Sequence, residues 1–220
     1  MAFLQSRSNA AASLAYSTQN CTIGSLLVCA VLWNSSSATT TVADSTNGAW
    51  TAMGLPKTGV SGLSSWRLQM FNFSGNTSAA KPTVTATVTG SPTTNIAIAE
   101  YSNVSGIDGT VLYKSYTASN PVTDITGGSG DTVVAVCITG GSIQGANSPF
   151  TQRENSNFGA NSFADYVNAP RSVSCTFAAD SNDMILAIAG FKLRTSINKN
   201  INMNGGVNIR PHAFSPGLAR

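Results

Sequence analysis

The chain has 220 residues, of which 42% are hydrophobic and 10% are charged, and its formal net charge is +3. A chain of this length can bury about 70% of its unfolded surface, so it needs neither a disulfide nor a metal to fold. The low charge, with abundant Ser, Thr, Asn and Gly, is unusual for a cytosolic enzyme and common in secreted β-proteins and virion proteins.

The first twenty residues carry one arginine and lack the unbroken apolar stretch of a signal peptide. No part of the sequence approaches the ~20 consecutive apolar residues of a membrane-spanning helix. If Met1 is the native start, we expect a protein that is made without Sec export and has no membrane partner.

The first strong strand pattern runs from Leu26 to Trp33 and is apolar on both faces, which predicts a central, buried strand. A hairpin is predicted next, in "VADSTNGAWT". There Asn47-Gly48 would supply the positive φ angles of a tight turn, and the Asp44 side chain would cap it. Trp50 is expected to pack beside this turn.

The segment from Thr83 to Val88 alternates threonine with apolar residues and predicts a strand with one face in water. A short turn then leads to "NIAIAEY", which ends at Tyr101 and predicts a second buried strand. Glu100 occupies the opposite face of that strand from its neighbours, and we expect it to pair with a lysine or arginine rather than to be catalytic.

The second half of the chain repeats this order. "GDTVVAVCIT" from Gly130 matches "GSLLVCAVLW" from Gly24, and "SVSCTFAADSNDMILAIAGF" from Ser172 matches "TVTATVTGSPTTNIAIAEY" from Thr83. The repeat predicts an all-β fold with an internal duplication, a jelly-roll-like two-sheet sandwich made of two halves of about four strands each. An immunoglobulin-like sandwich is the alternative. We expect the sandwich domain at residues 1–193 and an extended C-terminal arm at residues 194–220.

These motifs resemble a β-sandwich module found in bacterial secreted and surface proteins and in tailed-phage virion proteins. The resemblance covers residues 23 to about 193 and rests on four segments: Leu26 to Trp33, Val42 to Thr51, Val84 to Val88, and Ile96 to Val104. It implies a sandwich fold and an extracellular or virion setting more firmly than it implies an activity. The tail is not part of it.

No set of residues predicts catalysis, a metal site or a cofactor. Cys21, Cys29, Cys137 and Cys175 lack zinc-ligand spacing and are expected to be small buried thiols, with one disulfide as the alternative. The single histidine, His212, lies in the tail, where packing alone would not hold it for a catalytic triad. We therefore do not expect an enzyme.

Residues 148–170 form a long, polar, aromatic-bearing segment that is typical of a contact loop and equally of an ordinary long connection. Its candidate partner-binding residues are Phe150, Arg153, Phe158, Phe163 and Tyr166. Aromatic residues that could stack on a sugar, with core packing as the simpler interpretation, are Trp50, Trp66, Tyr113, Tyr116 and Tyr166.

The tail alternates apolar residues with asparagine and carries no acidic residue. Ordering it costs roughly 1–2 kcal/mol of backbone entropy per residue, so we expect it to order only against another surface. Period-two alternation suits the addition of a strand to an exposed sheet edge. The residues expected to bind are Ile197, Lys199, Ile201, Met203, Val207, Ile209, Arg210, Phe214 and Arg220.

A sandwich with a binding arm and no catalytic set is typical of an assembly protein. The hypothesis from sequence is a phage capsid decoration (cement) protein on the virion surface, bound to the major capsid protein and to neighbouring copies, with homotrimers as a natural arrangement. The alternatives are a tail-fibre or host-surface glycan-binding module and a secreted, extracellular carbohydrate-binding module. Five basic residues in the last thirty make a weak nucleic-acid footprint, so no nucleic acid is expected as a partner.

Overall fold

A computed structural model of the protein describes residues 2–15, 20–35, 39–90, 92–117, 122–126, 131–139, 143–154, 161–169, 172–179 and 183–194. These residues form antiparallel β-strands and one 3-10 turn, Ser61–Leu63, without an α-helix. Within them, nothing helical is long and apolar enough to cross a membrane. The prediction of an all-β sandwich is confirmed.

The first half of the chain forms two sheets. Its strands are β1 (Ala2–Asn9), β2 (Ser13–Ala15), β3 (Leu26–Asn34), β4 (Thr40–Asp44), β5 (Gly48–Ala49), β6 (Thr51–Ala52), β7 (Lys57–Thr58), β8 (Trp66–Ser74), β9 (Thr83–Val88) and β10 (Thr94–Ser102). The first inner sheet has the order β1-β10-β3-β8-β6, with β7 also paired to β8, and the first outer sheet has the order β2-β9-β4-β5.

The second half forms a matching pair of sheets. Its strands are β11 (Val104–Tyr116), β12 (Val122–Thr126), β13 (Asp131–Thr139), β14 (Ile143–Ala146), β15 (Thr151–Glu154), β16 (Asn161–Ala169), β17 (Ser172–Ala179) and β18 (Met184–Leu193). The second inner sheet has the order β11-β18-β13-β16-β15, and the second outer sheet has the order β12-β17-β14.

The two halves share one topology, which confirms the internal duplication. When β1 to β5 and β8 to β10 are counted as strands one to eight, the inner sheet reads 1-8-3-6 and the outer sheet 2-7-4-5. This is the strand order of a jelly roll. The second half repeats it, with β15 beside β16 as β6 is beside β8, but no described strand corresponds to β5.

The sequence predicted one sandwich of two sheets, but the structure has four sheets, because each half forms a complete sandwich of its own. The molecule therefore has four layers, with the two inner sheets packed face to face and an outer sheet on each side. This arrangement explains why β3 and β13 are apolar on both faces. In β3, Val28 and Ala30 enter the middle core between the inner sheets, while Cys29 and Val31 enter the first outer core. The second outer core lies between the second inner and second outer sheets.

The inner sheets face each other with reversed strand order. At one edge β1 contacts β15, and at the other β11 contacts β7 and β8. Along the second edge, Tyr113 Oη donates to the carbonyl of Met53 (2.6 Å) and accepts from the backbone N–H of Met70 (2.9 Å). The two jelly rolls are thus related by an approximate twofold axis and share a continuous middle core.

The predicted boundary at residue 193 coincides with the end of β18. Residues 195–220 lie outside the described residues, so the division into a sandwich domain at 1–193 and an arm at 194–220 stays a prediction. The described residues contain two jelly rolls, but their common core makes them one packed unit.

Candidate functional site

The arm begins where the described structure ends. Its nine candidate residues lie outside the described residues: Ile197, Lys199, Ile201, Met203, Val207, Ile209, Arg210, Phe214 and Arg220. Arg194, which is exposed, is the last described residue. Its backbone N–H donates to the carbonyl of Asn103 (2.8 Å), and its guanidinium lies beside Gly24. The last described residue therefore lies at the end of the inner sheets where β3 begins and β10 ends.

The interpretation of residues 148–170 as one long loop is wrong, because most of its described part forms β15 and β16. Phe163 is fully buried in the middle core. Phe150 is 7% exposed and packs edge-to-face on Tyr166, with ring centroids 5.9 Å apart. These aromatic side chains stabilise the second jelly roll. Phe158 lies outside the described residues.

Arg153, the remaining candidate residue of the 148–170 segment, belongs to a polar cluster at the interface between the two jelly rolls, called the seam below. Asp165 is 1% exposed, and Arg153 contacts both of its carboxylate oxygens at 2.9 to 3.0 Å. Tyr101 Oη, from the other half, donates to the same carboxylate (2.9 Å). Burial raises the pKa of Asp165, although hydrogen bonds and charge from Arg153 and the bond from Tyr101 oppose the rise. Desolvation is therefore the larger effect.

Strand β1 completes this seam. The Arg153 guanidinium lies 3.7 Å from the centre of the Phe3 ring, a cation–π contact. Ser6 and Ser8 each donate a hydroxyl hydrogen bond to the Glu154 carboxylate, at 2.7 and 2.8 Å. The amino-terminal strand of the first jelly roll is thus held to the edge strand of the second by charged groups rather than by backbone pairing.

A second polar cluster lies on the opposite face of the same strand. Glu100 is fully buried, and its carboxylate accepts from Gln5 Nε2 (2.5 Å) and from the backbone N–H of Thr22 (2.6 Å). The expected lysine or arginine partner is therefore replaced by two uncharged donors. Cys21, which is 2% exposed, places its sulfur 4.0 Å from Gln5 Nε2. Burial and the nearby Glu100 carboxylate raise the pKa of Cys21 to about 12.

The Asp44 cap is confirmed. Its carboxylate accepts from the backbone N–H groups of Thr46 and Asn47 (2.7 and 2.5 Å), from Asn47 Nδ2 (2.9 Å) and from Trp50 Nε1 (2.7 Å). Of the predicted pair Asn47-Gly48, Gly48 has a positive φ of 80°, and Asn47 is not among the positive-φ residues. Trp50 packs beside the turn, as expected, and is 6% exposed.

The proposed aromatic platforms are largely engaged within the molecule. Trp50 is buried; Trp66 and Tyr113 are half-buried against the middle core; and Tyr116 and Tyr166 are half-buried against the second outer core. The large hydrophobic side chains exposed among the described residues are Ile23 and Leu55, which are 66% and 85% exposed.

The four cysteines are free and buried, so the alternative of one disulfide is wrong for this structure. Burial raises the pKa of Cys29, Cys137 and Cys175 well above the ordinary thiol value. In the described ranges, no group of three His, Cys, Asp or Glu side chains could hold a metal ion. A cleft of about 310 Å³ opens beside β9 and is lined by Ala12, Ala86, Thr87, Val88, Pro92 and Thr94.

Both buried polar clusters depend on β1, which sequence analysis missed. In "FLQSRSN", polar residues occur on both faces of the strand, so the segment lacks the alternating apolar pattern by which a strand is predicted. The available signal was Glu100, a carboxylate in an otherwise buried run, because such a group requires donors from a neighbouring segment. No family model, no curated protein and no solved structure matches this chain.

Proposed function

We propose that this protein is a non-enzymatic structural component of a phage virion, a capsid decoration protein whose carboxyl-terminal arm binds neighbouring subunits. The observation that carries the proposal is the strand order that the two halves share. The first jelly roll ends with β10 and the second with its counterpart β18. The tail therefore corresponds to no strand of the duplicated unit, and its alternation suits strand addition to another chain.

Charge distribution supports the same proposal. Residues 194–220 contain four basic and no acidic side chains, whereas residues 1–193 contain eight basic and nine acidic ones. A basic arm and a weakly acidic body attract one another between copies, which adds long-range attraction to backbone pairing. In a capsid lattice many such joints act together, so that each can be weak.

The edges of the fold restrict where an arm can pair. Bulges interrupt β1, β11, β14 and β15, and bulged edge strands resist further pairing. Strands β2, β5, β6 and β7 span three residues or fewer. Strand β12 pairs with β17 in regular register over five residues. Among the described edges, β12 is therefore the best acceptor for the arm of a neighbouring copy.

The experiment compares two matched sets of substitutions in the full-length chain. Strand addition buries one face of the arm, so apolar positions should matter and the asparagines between them should not. We expect the first set to abolish self-association in analytical ultracentrifugation and co-sedimentation with capsid shells: Ile201→Asn, Met203→Asn and Val207→Asn. The control set should retain both: Asn200→Ser, Asn202→Ser and Asn204→Ser.

Deletion of residues 196–220 provides the second measurement. The truncated chain should keep its β-rich circular dichroism spectrum and lose both kinds of association. If the folded, truncated chain still bound shells and copies of itself, the proposed role of the arm would be wrong. Binding of glycans by the truncated chain on an array would favour a host-surface module instead.

A further inference from the structure

The cluster of Cys21, Gln5 and Glu100 brings together three groups that can react with one another. The sulfur of Cys21 lies 4.0 Å from Gln5 Nε2, and the carbonyl carbon of that amide is directly bonded to this nitrogen, ~1.33 Å from it. All three side chains are buried, with exposures of 2%, 8% and 0%. A thiol, a primary amide and a carboxylate are thus held in contact away from bulk water.

We propose that Cys21 and Gln5 condense to an internal thioester, with Glu100 as the group that moves the proton. Gln5 Nε2 contacts both other groups: it lies 4.0 Å from the Cys21 sulfur and donates to Oε2 of the Glu100 carboxylate at 2.5 Å. The backbone N–H of Thr22, the residue after the cysteine, donates to Oε1 of the same carboxylate at 2.6 Å and so holds it beside Cys21.

The reaction balances without an oxidant or a cofactor. Glu100 accepts the thiol proton, and the sulfur lone pair forms a bond to the Gln5 carbonyl carbon. The carbon–nitrogen bond then breaks, and its electron pair leaves with the nitrogen, which takes the proton back from Glu100. The products are a thioester and ammonia, and the carboxylate is regenerated.

The burial of Cys21 explains why a neighbouring base is required. Because burial and Glu100 raise the pKa of this thiol to about 12, it is protonated at neutral pH and is a poor nucleophile by itself. The same exclusion of water protects the product from hydrolysis. The bond would join β1 to the segment before β3, and it would store an acyl group that reacts with primary amines.

The test is the intact mass of the full-length chain, measured after unfolding in urea without added thiol, together with a count of free thiols. We expect a mass lower than that of the sequence by one ammonia, and three titratable thiols instead of four. Methylamine added during unfolding should restore the fourth thiol and leave an N-methylamide at Gln5, located by peptide mapping.

Two cysteine variants distinguish the thioester from other reactions that also release ammonia. Cys21→Ala should have its full mass, whereas Cys175→Ala, which removes another buried thiol, should still lose ammonia. A full mass with four thiols in the wild-type chain would overturn the proposal. So would a loss of ammonia that persists in Cys21→Ala, because cyclisation at Asn47-Gly48 also releases ammonia.

Glu100→Gln keeps the size of the buried side chain and removes the base. We expect this variant to have its full mass and four thiols while retaining the circular dichroism spectrum of the wild type. If the folded variant forms the thioester as completely as the wild type, the role of Glu100 as the proton carrier is wrong.

Discussion

Asp165 shows how much a single residue contributes to joining the two halves. Its carboxylate is 1% exposed, and it is held by Arg153 from its own sheet and by Tyr101 from the opposite one. Removing one member of a buried ion pair leaves an uncompensated charge and typically costs about 3–5 kcal/mol. Replacing both members avoids that cost, so the seam depends on their pairing more than on either side chain alone.

Asp165 also predicts a pH dependence of stability. Burial raises the folded-state pKa above the ordinary value of 3.8, so the folded chain binds this proton more tightly than the unfolded chain does. The contribution of Asp165 to the free energy of unfolding is therefore largest below that value and falls as the pH rises through the folded-state pKa.

The measurement is urea denaturation of the wild type and Asp165→Asn at a series of pH values from below 3.8 upward. The free energy of unfolding of the wild type, minus that of the variant, should decrease as the pH increases. A difference that stays constant, or increases, would contradict the raised pKa.

At the scale of the element, the 3-10 turn between β7 and β8 depends on one close approach. Leu63 at the end of this turn is 5% exposed and enters the middle core. A Cβ atom at Gly59 would lie 2.3 Å from the carbonyl oxygen of Leu63 and 2.7 Å from its Cβ. Glycine is thus required at position 59 by packing, and no positive φ is involved.

We therefore expect Gly59→Ala to lower the free energy of unfolding by about 1–3 kcal/mol, the usual range for overpacking. Gly62→Ala is the matched control within the same turn. Its added Cβ would meet Asp183 Oδ2 at 3.0 Å, the end of a side chain that accepts a hydrogen bond from the backbone N–H of Gly62 (2.8 Å), so we expect a smaller loss than from the backbone clash at Gly59. Thermal unfolding followed by circular dichroism compares the two variants, and equal destabilisation would contradict this account.

The sequence predicted those strands whose apolar pattern is continuous. β3, β9, β10, β13, β17 and β18 all follow recognisable runs of buried or alternating residues. β11 was missed because Gly106 and Gly109 lie at two bulges, which interrupt its period of two.

Within the polar clusters, Asp44 was predicted because its partners are local in sequence. The partners of Glu100 and Asp165 were not predicted, because they are distant in sequence. Glu100 is 78 residues from Thr22 and 95 from Gln5. Asp165 is 12 residues from Arg153 and 64 from Tyr101.

At the scale of the whole molecule, the shared middle core decides how the chain unfolds. Residues of both halves contribute to this core. Val28 and Met70 come from the first half, and Val134 and Phe163 come from the second. The repeat in the sequence indicated two equivalent halves, but the number of sheets depended on which faces meet. Apolar patterns show that a face is buried without showing which partner covers it.

This core predicts cooperative unfolding of the two jelly rolls. All three tryptophans, Trp33, Trp50 and Trp66, lie in the first half and report on it by fluorescence. Phe163→Ala removes a fully buried ring in the second half and should cost about 3–5 kcal/mol. We expect it to shift the tryptophan transition in urea to lower concentration, together with the transition seen by circular dichroism.

Phe177→Ala provides the control, because Phe177 is buried in the second outer core, which the first half does not enter. If the chain unfolds as one unit, this variant also shifts the tryptophan transition. A fluorescence transition that neither substitution moves would show that the halves unfold independently.

The approximate twofold axis has a consequence for evolution. Two identical jelly rolls meeting across such an axis would have to present the same outer sheet on both sides, and any change in one would appear in the other. Covalent fusion removes that constraint, because each repeat can accumulate its own substitutions. The two outer sheets of one molecule can then differ in shape and chemistry, although the strand order beneath them is the same.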